Sequence, residues 1–391
     1  MAKTRTARTR TRVTKMGRDG TRQMLDSIFE DVHAKRLDSL ANAVVGTMQA
    51  TRVAIHAIGA AYAEVAEIKP RNGVKQVDRF LSNRGIAVEA MTEAWAKFVL
   101  GGRREVLLAL DWTEFDDDDH ATLAIYVVTT HGRATPLVWK TVKKSTLAGT
   151  RTDIEHAEIE RLANAIPPGI AITLLADRGF GDQKLYATLA LLGWDFVIRF
   201  RGCILVEHEG VAKPAAAWLP ESGRATKLAG VRVTADRAEL GAVVVVHDKR
   251  MAEPWHLATS LRDKAASYIV KLYGRRFTIE ETFRDQKDLR FGMGLRATHI
   301  RSEARRDRLL MLLAIAQALL TLLGEASERT GMDAFLKVNT VKKRTHSLFR
   351  QGSYWYGCLP TMRDDWFEML MPAFEKVLEE HAEMRQMLGA I

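Results

Sequence analysis

Arg104-Glu-Val-Leu-Leu-Ala-Leu-Asp-Trp-Thr113 is an apolar run that ends in an acid. A short run of this kind, bounded by charge, reads as a strand buried on both faces. Two further runs follow at hairpin spacing, Ala121-Thr-Leu-Ala-Ile-Tyr-Val-Val-Thr-Thr130 and Ala134-Thr-Pro-Leu-Val-Trp-Lys-Thr-Val142. Three adjacent strands are the simplest reading. Asp153 to Ala165 then alternates charge and aliphatic residues at helical spacing and stops before Pro167-Pro168. A fourth strand, Gly169-Ile-Ala-Ile-Thr-Leu-Leu-Ala-Asp177, again ends in an acid. Gly181 to Leu192 reads as a helix and Trp194-Asp-Phe-Val-Ile-Arg-Phe200 as a fifth strand.

The order β-β-β-α-β-α-β resembles a ribonuclease-H-like core, an antiparallel triplet extended by parallel strands. This is a likeness of element order, and fold alone does not give function. The expected class is α/β, a mixed sheet flanked by helices, over residues 101–202 and 262–325. Between them, residues 203–261 are rich in strands and turns, through Val231-Arg-Val-Thr234, Ala242 to His247 and Trp255 to Leu261, and read as a β-rich insertion. Residues 23–100 carry helical periodicity with a basic side and are expected to form a DNA-binding domain. Residues 326–391 form a helical C-terminal region.

The chain has 391 residues, of which 47% are hydrophobic, so several cores can be built. It carries 58 basic against 48 acidic residues, a net charge of +10, which points to a polyanionic partner. Eight Lys or Arg stand among threonines in residues 1–22, read as a disordered basic arm. The two cysteines, Cys203 and Cys358, are isolated and make neither a zinc motif nor a disulfide framework. A cytoplasmic setting is expected. The longest apolar run, Leu309 to Leu323, is short of the roughly 20 residues a membrane span needs and reads as a buried helix.

Asp111 and Asp177 each end an apolar run at the carboxyl end of an expected core strand. Alone, either acid could simply cap the next turn. A third acid lies in Tyr273-Gly-Arg-Arg-Phe-Thr-Ile-Glu-Glu-Thr-Phe-Arg-Asp-Gln-Lys287. On one continuous helix, Tyr273, Arg276, Glu280 and Lys287 would share an arc roughly 60° wide. That stripe reads either as an ion-paired surface or as the wall of a site. Asp111, Asp177 and Glu280 together would make an oxygen-rich site suited to Mg²⁺ or Mn²⁺. Two such ions, about 3.5–4 Å apart, could drive an in-line phosphoryl displacement. The run Asp116-Asp-Asp-Asp119 is more acidic but lies between two expected strands, as a solvated hairpin loop, with His120 and His131 as surface histidines.

Tyr273, Arg276, Glu280 and Lys287 reproduce the Y-x2-R-x3-E-x6-K signature of bacterial insertion-sequence transposases of the DDE class. Asp111-Trp-Thr113 and Ala176-Asp-Arg-Gly-Phe180 resemble the first and second aspartate motifs of that branch. The resemblance covers roughly residues 70 to 325. It implies a cut-and-paste enzyme of the hairpin-forming group, acting on double-stranded DNA (transposon terminal inverted repeats and target) as a homodimer in a synaptic complex. It also implies a bacterial, nucleoid-associated location with no membrane, and a catalytic domain interrupted by β-strands. By the same likeness, Asp111, Asp177 and Glu280 are catalytic and bind metal, while Tyr273, Arg276, Lys287 and Arg178 contact DNA. Glu253-Pro-Trp-His-Leu-Ala-Thr259 resembles the strand whose tryptophan stacks a flipped base, which gives that role to Trp255; a plain core tryptophan is the alternative. The family often has a second Trp where this chain has Phe277. Two other functions fit the same residues: a ribonuclease-H-like metal-dependent nuclease that never joins strands, and an inactive DNA-binding derivative.

Overall fold

The apolar run around Leu110 is the third strand from one edge of a single ten-stranded mixed sheet. The computed structural model describes residues 16–290 and 292–388. Five helices come first: α1 (Arg18–Ile28), α2 (Ala34–Ala50), α3 (Ile55–Val65), α4 (Pro70–Ser82) and α5 (Val88–Leu100). Most of the expected basic arm lies outside the described residues, but Arg18 to Arg22 are already helical.

Next come β1 (Glu105–Phe115), β2 (His120–Val128), β3 (Ala134–Lys143), α6 (Arg151–Ala165), β4 (Ala171–Ala176), α7 (Gln183–Leu191) and β5 (Asp195–Arg199). β1 pairs antiparallel with β2 and parallel with β4, and β4 pairs parallel with β5. This mixed sheet is compatible with a ribonuclease-H-like domain. Strands β6 (Leu205–His208), β7 (Val211–Pro214), β8 (Thr226–Val233), β9 (Ala238–Val246) and β10 (Trp255–Thr259) fall in the expected insertion. They do not form a separate sheet. β10 pairs with β5, so the strand order is β3-β2-β1-β4-β5-β10-β9-β8-β6-β7.

Side chains of a strand alternate between faces, and β1 sorts cleanly. Leu108 and Leu110 join Ile159 and Leu162 of α6 in one apolar cluster. Ala109 faces the other way, against Ile279 and Phe283 of α9 (Phe277–Lys287). Leu175 and Leu257 pack on that second face against Ile269 and Tyr273 of α8 (Ala266–Gly274). The stretch expected as one helix is therefore two. At the break, Arg275 and Arg276 donate their amides to Leu272 and Tyr273, three residues back rather than four. The tightened turn re-aims Arg276 and Glu280 relative to Tyr273.

The long helix α10 (Glu303–Arg329) is followed by α11 (Leu348–Cys358) and α12 (Asp364–Leu388). By length and composition α10 could cross a membrane, yet 78% of its apolar window is buried in the protein. It is the shared core of both helical ends: Leu40 and Trp95 from the N-terminal side join Leu313, Trp355 and Phe374 in one apolar cluster. Gly324 and Gly352 allow α10 and α11 to touch, since a Cβ on either would strike the other helix's backbone carbonyl at Leu348 or Leu320.

Candidate active site

Leu110 is registered with Ala176 across the parallel pair β1 and β4. The next residue on each strand is an aspartate, so Asp111 and Asp177 stand side by side where β4 ends. Asp111 does not end its own strand, because pairing with β2 carries β1 on to Phe115. Asp111 has the parity of Ala109 and so points to the α8–α9 side. Its Oδ1 accepts a 2.9 Å hydrogen bond from the Trp112 amide. Asp177 caps the short turn Arg178–Phe180, accepting from the Gly179 amide at 2.8 Å.

The third acid arrives through an arginine. Arg276 opens α9 and is buried, and its Nη1 lies 3.2 Å from Oδ2 of Asp111. Its Nη2 donates to Oε1 of Glu280 one turn on. Burial pushes the Asp111 carboxyl up to about 6; Arg276 opposes that rise, while Asp177 and Glu280 add to it. Asp111 thus feels both of the other acids. Among the described residues, no three His, Cys, Asp or Glu side chains stand close enough together to hold one ion. Arg276 supplies the positive charge between two of the acids instead. Carboxylate oxygens fit a hard divalent cation in kind, and the negative charge of Asp177 and Glu280 around Asp111 favours one.

The other residues expected at the site divide by exposure. Tyr273 is 1% exposed, so it lines the wall of the site. Trp255 is half-buried and meets the Tyr273 ring edge-on at 4.9 Å and the Phe277 ring at 6.0 Å. Phe277 is 40% exposed and takes the Arg276 guanidinium on its face at 4.9 Å. Arg178 is exposed and only loosely tied, 3.4 Å from Glu253, which also pairs with Arg199 at 2.7 Å. Lys287 donates from Nζ to the Glu114 carbonyl at 2.8 Å and lies 4.6 Å from the Phe115 ring centre. Burial, helped by the nearby Arg296, lowers its ammonium to about 8.

The acidic run after β1 is a loop, as expected, but is not wholly solvated. Asp116 pairs with Lys144 at 2.6 Å, and Asp119, at φ +53°, accepts from the amide and hydroxyl of Ser145. Asp118 turns inward to the fully buried Arg306 of α10. His120 is not a surface histidine: it is 0% exposed, and its Nδ1 accepts from Arg306 Nε at 2.9 Å. His131 is half-buried, its ring nitrogen Nδ1 out of water. For Asp118 and His120 the reason is Arg306, a buried cation that needs acceptors around it.

A second group at the sheet end has no counterpart in the sequence reading. Trp112, facing opposite to Asp111, donates from Nε1 to Glu155 at 2.6 Å, and Arg151 donates from Nε to the same oxygen at 3.0 Å. The only sequence hint was the i,i+4 spacing of Arg151 and Glu155.

No curated protein matches the chain. Residues 127–319, a span that begins after Asp111 and contains both Asp177 and Glu280, match the family model described as a transposase DDE domain, and this supports a DDE-class transposase.

Proposed function

We propose that the protein is a DDE-type DNA transposase that cleaves transposon-end DNA in a metal-dependent reaction and transfers the strand into target DNA. The observation that carries this is the register of Leu110 with Ala176, which sets Asp111 beside Asp177 in reach of Arg276 and Glu280. Asp111, Asp177 and Glu280 would hold Mg²⁺ or Mn²⁺, two ions in the full site. When bound, the metal supplies activation of a water or 3′-hydroxyl and stabilisation of the leaving oxygen in an in-line displacement.

The chain's own residues do the rest. Arg276 pairs with Asp111 and Glu280 and, were a metal to take its place, would be left next to the scissile strand to meet a phosphate. Arg178, exposed at the turn after Asp177, offers a second cation. Lys287 steadies the end of β1 through Glu114 and adds a further cation on α9. Trp255, with Tyr273 and Phe277, forms an aromatic wall on which an unstacked base could lie. Phe277 can stack but cannot donate a hydrogen bond. The active species is proposed to be a homodimer that brings two transposon ends together.

The test is nicking of transposon-end duplex with Mg²⁺ by the wild type and by Asp111→Ala, Asp177→Ala and Glu280→Ala. Retained nicking in any of the three would sink the site assignment. A strand-transfer assay, which reads a donor 3′ end joined to target DNA, separates a transposase from a simple nuclease. End binding without any metal-dependent nicking would leave only a DNA-binding protein.

A further inference from the structure

We propose that Arg151 is a second cationic jaw of this site, gripping a DNA backbone phosphate from the face of the sheet opposite Arg276. The inference rests on the reading of the site as one that engages DNA. Arg276 and Glu280 approach the sheet end from the α8–α9 side, the side to which Asp111 points. Trp112, one residue on, points to the α6 side, where Arg151 begins the helix. The Arg151 guanidinium lies 5.2 Å from the ring centre of Trp112 and 5.8 Å from that of Phe180. These rings follow the two aspartates in sequence, so one arginine touches both aspartate motifs. A Cβ built on Gly179 would lie 3.0 Å from Oδ1 of Asp177 and 3.8 Å from Nη2 of Arg151. The guanidinium therefore reaches the turn that carries the second acid.

The mounting is that of a presented cation. Nε is anchored on Glu155, whose side chain is 7% exposed, while the Arg151 side chain is 43% exposed. Among the described residues, its two terminal amino groups have no hydrogen-bond acceptor. A planar fork held by its stem, stacked on aromatic faces and open at its tip, suits a phosphate. A purely structural staple would spend those donors on the protein.

The experiment measures binding of the full chain to a fluorescent mixed-sequence DNA duplex by anisotropy over a range of NaCl concentrations. Arg151→Gln is expected to weaken binding and to lower the slope of log affinity against log salt by about one, the mark of one lost phosphate contact. Arg151→Lys should keep the wild-type slope. If the Gln variant does not fold, Arg151→Met, which keeps the stem against Trp112, is read the same way. A wild-type slope in the charge-free variants, with only the melting temperature lowered, overturns the proposal and leaves Arg151 a staple. A lowered slope in a protein that never nicks DNA faults the cutting reading and not the contact. An unchanged slope in a protein that does nick faults the contact alone.

Discussion

Two acidic groups flank the end of β1, and each is met by a buried arginine. At Asp118 the partner Arg306 is fully buried, the acid is 4% exposed, and His120 completes the set. At Asp111 the partner Arg276 is also buried, but the acid is 16% exposed and Glu280, on the same guanidinium, is 49% exposed. Similar chemistry serves opposite ends. The first group has one negative charge for one positive and is closed, so it fixes the β1–β2 turn to α10. The second has two carboxylates on one guanidinium, with Asp177 beside them, and is open, so it is left with negative charge that a cation can answer. What separates scaffold from site is excess charge and access, not the count of acids in sequence.

The largest break in that comparison should be chemical. Alanine at Asp111, Asp177 or Glu280 is expected to cut Mg²⁺-dependent nicking by about a thousandfold or more, whereas Asp116→Ala, read in the same gel assay, should leave it near wild type. Next, Arg306→Met should destabilise the fold by about 3–5 kcal/mol in urea titrations, because Asp118 is left buried and unpaired. Glu280→Ala, at an exposed carboxylate, should cost under about 1 kcal/mol in the same titration.

A third experiment sharpens the contrast by pH. Asp111 is raised to about 6 in the fold against an ordinary 3.8, so the folded state holds its proton more tightly than the unfolded one. Its contribution is present below pH 3.8 and is lost as pH rises through about 6. In metal-free protein, Asp111→Asn should match wild type near the acid end. It should exceed wild type by about 3 kcal/mol above the window, as read from denaturation at each pH. Equal stability of the two at all pH values would show that the acid is not crowded.

The smallest effect belongs to Lys287. With its ammonium lowered to about 8, its charge is present below that pH and fades above it. Loss of its charge should weaken DNA binding by roughly tenfold or less. Lys287→Met should bind more weakly than wild type below pH 8, and the difference should close above it.

Much of this was legible because the signals were local. The runs ending at Asp111 and Asp177 declared buried strands, and parallel pairing of two such strands brings their terminal acids together. Helix α6 announced itself by spacing and the prolines beyond it. Other features depended on distant partners. Strands β6 and β7 are four residues each and gain their shape from pairing, not from an apolar pattern. The burial of Asp118 rests on Arg306, 188 residues away. The break at Gly274 was hidden because Tyr273 to Lys287 keeps helical periodicity on both sides of it, and only the three-residue hydrogen bonds reveal the change of direction. The contact of Arg151 with Trp112 and Phe180 needed three separate segments to meet.

One last consequence follows from β10 lying between β5 and β9. The added strands are not an appendage that can be trimmed to obtain a minimal enzyme. Excising residues 203–261 would strip β5 of its β10 neighbour and bare a short edge with an apolar centre, with Val197 and Ile198 ready to pair with another chain. Such a truncation is expected to aggregate before any catalytic question can be asked of it. The backbone itself thus acts as a ruler: Trp255, bonded through β10 to the strand beside β4, is held at a set distance from the acids.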